Sequence, residues 1–192
     1  MFQIQLLSIL YYFTFMKRHT PLILISNLIL FSLNQVISKE DKSTDSILLP
    51  SIMYDATGEI KADDTKGKII GLYFSASWCS SCRRFNPRLV TFRNQNLEKF
   101  EVVLISGDGS DIAQQNYMKK FKMPWPALGN RSGEAKNLEE SVKKILDVEF
   151  ISLPSLIILD PTGKVISTNG KDEILTLGDN ALLSWKDATK AE

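Results

Sequence analysis

The sequence predicts one α/β domain, a central mixed β-sheet flanked by helices with an N-terminal β-hairpin. Three observations carry this expectation. Two continuous apolar runs, Ile69-Ile70-Gly71-Leu72-Tyr73-Phe74 and Val102-Val103-Leu104-Ile105, have the composition of strands buried on both faces. Stretches with helical spacing follow each run. Near the C-terminal end, the turn signal Asp160-Pro161-Thr162-Gly163 separates two short strand-like segments. The length of 192 residues fits one domain better than two.

The N-terminal part stands outside this domain. Residues 1–38 hold no acidic residue, and apolar stretches at 2–15 and 22–33 flank Lys17-Arg18-His19. Each stretch is shorter than the ~20 apolar residues of a spanning helix. The second reads as a secretory signal peptide: a basic start at Met16-Lys17-Arg18, an apolar run over 21–33, and a cleavage site at Val36-Ile37-Ser38. On this reading translation starts at Met16 and the domain is exported, to a periplasm or the medium. The alternative is an uncleaved membrane anchor over residues 21–37. Residues 39–50 form a polar lead-in, and the domain runs over 51–188.

Within the domain, segments 52–54 and 59–60 flank the turn signal Asp55-Ala56-Thr57-Gly58 and predict the hairpin. After a loop at 66–68, residues 69–74 form the central strand. Residues 80–99 are helical, with Phe85, Leu89, Phe92, Leu97 and Phe100 near helical spacing. Residues 102–105 are the second buried strand. A helix over 111–121 starts at the cap candidates Ser110 and Asp111, and another covers 134–146. Strands at 155–159 and 164–167 surround the last turn, and a short helix covers 178–187. Helical connections make the first sheet strands parallel, and the closing hairpin adds an antiparallel pair.

Composition removes several chemistries. The chain has two cysteines and one histidine. Two cysteines cannot build a multi-disulfide scaffold or a four-cysteine zinc site. The histidine, His19, lies in the leader, so the domain has none for a triad, a Cys-His protease or a His-ligated metal. We expect no metal. The 23 basic and 22 acidic residues give no cationic field for nucleic acid.

The remaining chemistry is Trp78-Cys79-Ser80-Ser81-Cys82, where a buried strand gives way to a helix. Unpaired backbone N–H groups at a helix N-terminus favour an anion. A thiolate at Cys79 gains from this, since such sites have pKa values of roughly 3.5–7.5. Arg83 and Arg84 add nearby positive charge. Cys82 lies one turn further on the same face, close enough for a disulfide. Cys79 is thus the better nucleophile and Cys82 the resolving thiol, acting through a mixed disulfide. Two other readings stand beside this one. A structural staple closing so short a loop gains only about 2 kcal/mol of chain entropy. Half of a metal site shared between two chains is the other. Pro154, before the strand at 155–159, fits a strand entry as either a trans or a cis residue.

Strand, Trp-Cys-x-x-Cys, helix, then a proline before a later strand resembles the thioredoxin fold. Pro87 is similar to the proline inside the active-site helix of that fold. More narrowly, Tyr73-Phe74-Ser75-Ala76-Ser77-Trp78-Cys79 with Cys82-Arg83 resembles the tryparedoxin and nucleoredoxin branch. Supporting stretches are 100–106 followed by Asp108, Met123-Pro124-Trp125, Leu159-Asp160-Pro161-Thr162-Gly163-Lys164-Val165, Asn169-Gly170 and Trp185-Lys186-Asp187-Ala188. The resemblance spans residues 52–188. It implies thiol–disulfide oxidoreductase activity with no bound cofactor, a redox-active Cys79–Cys82 disulfide, and a cis Pro154 facing the cysteines. It also implies substrate binding by Trp78, Leu153 and Pro154, with Arg83 in support.

The chain departs from the pattern at four places. Ser80-Ser81 stands where two prolines are common, which shifts the expected redox potential in a direction the residues do not give. Gly107 replaces a tryptophan, Gly109 replaces an acidic residue, and Tyr73 stands where ordinary thioredoxins carry a buried aspartate, an absence shared with tryparedoxins. Asp108 is expected to cap its loop, and Trp125 and Tyr73 to pack in the core.

The expected function is a protein-disulfide reductase acting through the Cys79/Cys82 dithiol–disulfide cycle. Its partners are a protein or low-molecular-weight disulfide substrate and a separate redox partner as electron donor, with the chain a monomer. The alternative is a redox-responsive protein-binding module of nucleoredoxin type. A thiol peroxidase would need a cysteine outside the pair.

Overall fold

The computed structural model describes residues 46–56, 59–61 and 65–190, of which 59–61 and 190 are described by backbone alone. The predicted leader, its alternative anchor, the cleavage site and lead-in residues 39–45 lie outside the described residues.

The predicted hairpin is present, with β1 (Ile52–Tyr54) antiparallel to β2 (Glu59–Lys61). The main sheet has four strands in the order β4-β3-β5-β6: β3 is Ile69–Ser75, β4 Phe100–Ser106, β5 Ser155–Leu159 and β6 Val165–Ser167. β3 pairs with β4 in parallel and with β5 antiparallel, and β5 pairs antiparallel with β6. The fold is therefore the expected mixed sheet. Ala127 bridges both Leu104 and Tyr54, which brings the hairpin to the outer side of β4.

Alternation along the strands divides the core between the two sheet faces. Ile69 and Tyr73 of β3, with Phe100, Val102 and Leu104 of β4 and Leu156 and Ile158 of β5, pack on one face. They meet Phe85, Leu89 and Phe92 of α1 (Ser80–Gln95). Tyr117 and Met118 of α2 (Asp111–Phe121), the buried Trp125, and Ile174, Leu182 and Trp185 near the C-terminus join this half. Ile70, Leu72, Phe74, Val103, Ile105, Ile157 and Leu159 point the other way, onto Ala135, Leu138 and Val142 of α3 (Gly133–Leu146). All seven residues of β3 are buried, as a strand covered on both faces requires.

Three expectations need correction. The helix predicted over 80–99 ends at Gln95; Leu97 is exposed, and Phe100, counted in the helical stripe, opens β4 instead. The C-terminal helix predicted over 178–187 is α5 (Asn180–Lys190), and an unpredicted helix, α4 (Gly170–Leu177), precedes it and ends at Gly178 with φ 56°. The lead-in is more than a polar tether in its described part. Ile47 is buried against the α3 side of the core and donates its N–H to the Gly163 carbonyl at 2.8 Å. Gly163 has φ 90°, and a Cβ there would stand 2.3 Å from the Ile47 carbonyl oxygen. The turn therefore needs glycine both for its backbone conformation and for this close approach.

Candidate active site

Strand register brings three loops to one end of the sheet. Ser75 at the end of β3 stands opposite Ser106 at the end of β4, and Phe74 stands opposite Ser155 at the start of β5. The cysteine loop, the loop after β4 and the proline before β5 therefore converge, although 75 residues separate Cys79 from Pro154 in the chain.

Cys79 and Cys82 form a disulfide with a Cα–Cα distance of 5.3 Å. Cys79 is the N-cap of α1, with extended backbone, and its sulfur accepts the Cys82 N–H at 3.2 Å. An orphan amide of the first helical turn is thus satisfied by the sulfur. Cys79 is 7% exposed and Cys82 0%, so Cys79 is the more accessible residue of the pair. The first turn of α1 carries no acidic residue to oppose a negative charge there. Ser81 Oγ lies 3.3 Å from Cys79 Sγ.

The Leu153–Pro154 peptide is cis. Leu153 packs against the small cluster of Ala76, Cys79 and Cys82. Trp78 is 65% exposed, and its indole N–H donates to the Gly107 carbonyl at 3.3 Å. Arg83 is half-buried, and its guanidinium donates to the Ser77 carbonyl at 2.7 Å, so its contact is with the loop and not with a sulfur. The structure therefore gathers Trp78, Cys79, Cys82, Arg83, Leu153 and Pro154 into one region.

Asp108 is buried and acts as the loop tie. One carboxylate oxygen accepts the Ser77 N–H at 3.0 Å and the Ser77 hydroxyl at 2.7 Å; the other accepts the Ser106 hydroxyl at 2.9 Å. Ser77 is thus held from both sides, by Asp108 and by Arg83. Residue-by-residue reading missed Ser77, and the pairing becomes visible only once β3 and β4 are in register. It also missed Asn86. This fully buried amide accepts from the Tyr73 hydroxyl at 2.8 Å and donates to the Tyr117 hydroxyl at 2.9 Å. The Tyr117 hydroxyl lies 2.7 Å from Ser75 Oγ, and the Tyr73 hydroxyl also reaches the Cys82 carbonyl at 3.4 Å. A polar residue on the apolar face shared by Phe85 and Leu89 was the available signal. Burial pushes the Tyr73 phenol far above its ordinary range, and the nearby Tyr117 adds to this. Tyr73 therefore stays protonated and cannot replace a carboxylate as a base.

The thioredoxin-like family model matches residues 67–165, just over half of the chain. The chain belongs to this thioredoxin-like family. Its similarity to a tryparedoxin from Trypanosoma brucei brucei is 36% identity over 132 residues, covering 67% of this chain and 87% of the relative. A probable nucleoredoxin 1 from Arabidopsis thaliana is 36% identical over 125 residues, covering 64% of this chain but 20% of the relative. The chain thus spans about a fifth of that longer thioredoxin-like protein. A crystal structure of thioredoxin from Wuchereria bancrofti superposes with a TM-score of 0.60 at 30% identity, covering 74% of this chain and 99% of that one. The thioredoxin fold and the tryparedoxin and nucleoredoxin resemblance expected from the sequence are borne out.

Proposed function

We propose that this chain is a thiol–disulfide oxidoreductase that reduces protein disulfides, with Cys79 attacking and Cys82 resolving. The observation that carries the reading is the Cys79–Cys82 disulfide at the start of α1, with Cys79 the more accessible of the two residues. In the reduced protein the Cys79 thiolate attacks one sulfur of the substrate disulfide. The other substrate sulfur leaves as a thiolate and takes a proton from water. The Cys82 thiol then gives its proton to solvent and attacks the Cys79 sulfur. This expels the second substrate thiolate and closes the disulfide, so two electrons have passed from protein to substrate. A separate dithiol donor restores the pair by the reverse exchange. The exposed Trp78 and the Leu153–Pro154 segment flank the sulfur and form the surface for the substrate chain. Export from the cytosol belongs to the same proposal and is supported by the leader pattern of residues 16–38.

The test is insulin-disulfide reduction by the full chain with dithiothreitol as donor. Cys79→Ser is expected to reduce activity to the background of dithiothreitol alone. Cys82→Ser, reduced and then freed of dithiothreitol before insulin is added, is expected to retain attack and accumulate a mixed disulfide that survives non-reducing electrophoresis. Full activity in Cys79→Ser would overturn the assignment. The exposed Trp78 beside the largely buried cysteine pair also suits a docking surface whose occupancy follows redox state. That second reading predicts partner binding that survives Cys79→Ser.

A further inference from the structure

The dipeptide between the cysteines is where this chain leaves the common proline pair, and its second member touches the reacting atom. Ser81 Oγ is 3.3 Å from Cys79 Sγ. A disulfide sulfur carries no proton, so in this form the Ser81 hydroxyl is the donor. The same sulfur accepts the Cys82 backbone N–H at 3.2 Å. The backbone donor is available to any residue at 82, whereas the hydroxyl depends on the residue at 81. No other side-chain hydrogen bond reaches this sulfur among the described residues.

We propose that the Ser81 hydroxyl is a catalytic hydrogen-bond donor that stabilises the Cys79 thiolate and makes this dithiol couple more oxidising than the same site without it. The inference rests on the dithiol–disulfide reading above and specifies what tunes it. The direction follows from charge. A hydrogen bond to a full negative charge is roughly twice as strong as one to a neutral acceptor. The hydroxyl therefore favours the reduced, ionised state over the disulfide.

Of the charged and titratable groups around the sulfur, Cys82 is its disulfide partner, and the others make no hydrogen bond to it among the described residues. On α1, the Arg83 guanidinium is bound to the Ser77 carbonyl, and Arg84 is exposed. In the loop after β4, Asp108 is held by Ser77 and Ser106. From β3, the Tyr73 hydroxyl goes to Asn86 and the Cys82 carbonyl. Residues 150–154, leading into β5, include no charged side chain.

The experiment compares the reduced full chain with Ser81→Ala, Ser81→Gly, Ser81→Thr and Ser80→Ala. Thiolate ultraviolet absorbance against pH reads Cys79 ionisation, and equilibration with glutathione reads the couple. Ser81→Ala and Ser81→Gly are expected to raise the Cys79 pKa by about one unit. They should also move the glutathione equilibrium about tenfold toward the protein disulfide, which is ~30 mV for this two-electron couple. Ser81→Thr keeps a hydroxyl, and Ser80→Ala leaves the bond in place, so both should match the parent. The inference falls if the two hydroxyl-deleted proteins titrate like the parent, or if Ser80→Ala shifts the titration as far. Neither readout uses a protein substrate. A failed insulin assay beside an intact Ser81 effect would therefore reject the reductase reading and keep this one.

Discussion

At the scale of single residues, the most consequential departure from a thioredoxin pattern is Tyr73. A packed strand residue was expected there, and Tyr73 is fully buried, edge-on to Phe85 and Trp125. Its hydrogen bonds were not legible, because Tyr73, Asn86, Tyr117 and Ser75 meet only after α1 and α2 dock on the same sheet face. Tyr73→Phe removes the donor to Asn86 Oδ1 and should cost about 1–3 kcal/mol at neutral pH. The alkaline behaviour should change in the opposite sense. Unfolded tyrosine ionises near 10.0, whereas burial holds the folded Tyr73 pKa far higher. The folded state then binds more protons, so this residue's contribution is intact below that pH and lost as pH rises beyond it. Urea unfolding above that pH should show a shallower loss of stability with pH in Tyr73→Phe than in the parent. Equal slopes would reject the role assigned to burial.

At the scale of elements, periodicity located α2, the main strands and the hairpin because each carries a clean apolar pattern or turn. It failed at α4. This helix has eight residues, begins at Gly170, and has no side-chain cap bond from Asn169. Its order comes from tertiary contacts. Ile174 is buried, and Glu173 accepts from the Ser167 hydroxyl at 2.9 Å and the Trp185 indole at 2.6 Å, joining α4 to β6 and α5. Such contacts override weak local preference. Gly170 also lets the helix sit close to the sheet. A Cβ there would lie 2.8 Å from the Leu156 carbonyl oxygen and 2.5 Å from Ile158 Cδ1. Gly170→Ala should therefore destabilise by about 1–3 kcal/mol, against the ~1 kcal/mol gain alanine normally brings inside a helix. Denaturant midpoints would measure this, and a more stable variant would contradict the close approach.

At the scale of the whole molecule, the strand–helix alternation and its closing hairpin were enough to anticipate a mixed sheet. The strand order was less accessible, because only long-range pairing places β3 between β4 and β5. That order makes the site, by bringing Cys79, Asp108 and Pro154 to one sheet end. The cysteine pair itself was the most legible feature, since two cysteines three positions apart need no tertiary information. The contacts of Ser77 and Asn86 needed the assembled fold, whereas Ser81 meets Cys79 two residues away within the motif.

In the proposed cycle Cys79 is both the attacking sulfur and the N-cap of α1, so the acceptor at the helix terminus changes its charge at every turnover. A disulfide sulfur is a weak partner for the Cys82 amide, whereas a thiolate is a charged one. Solvent exchange of that single amide hydrogen should therefore slow when the reduced protein passes from thiol to thiolate, after correction for intrinsic exchange at each pH. Unchanged protection across the Cys79 titration would refute the coupling. The amide would otherwise serve as an internal gauge of redox state, readable by magnetic resonance with no reagent on the sulfur.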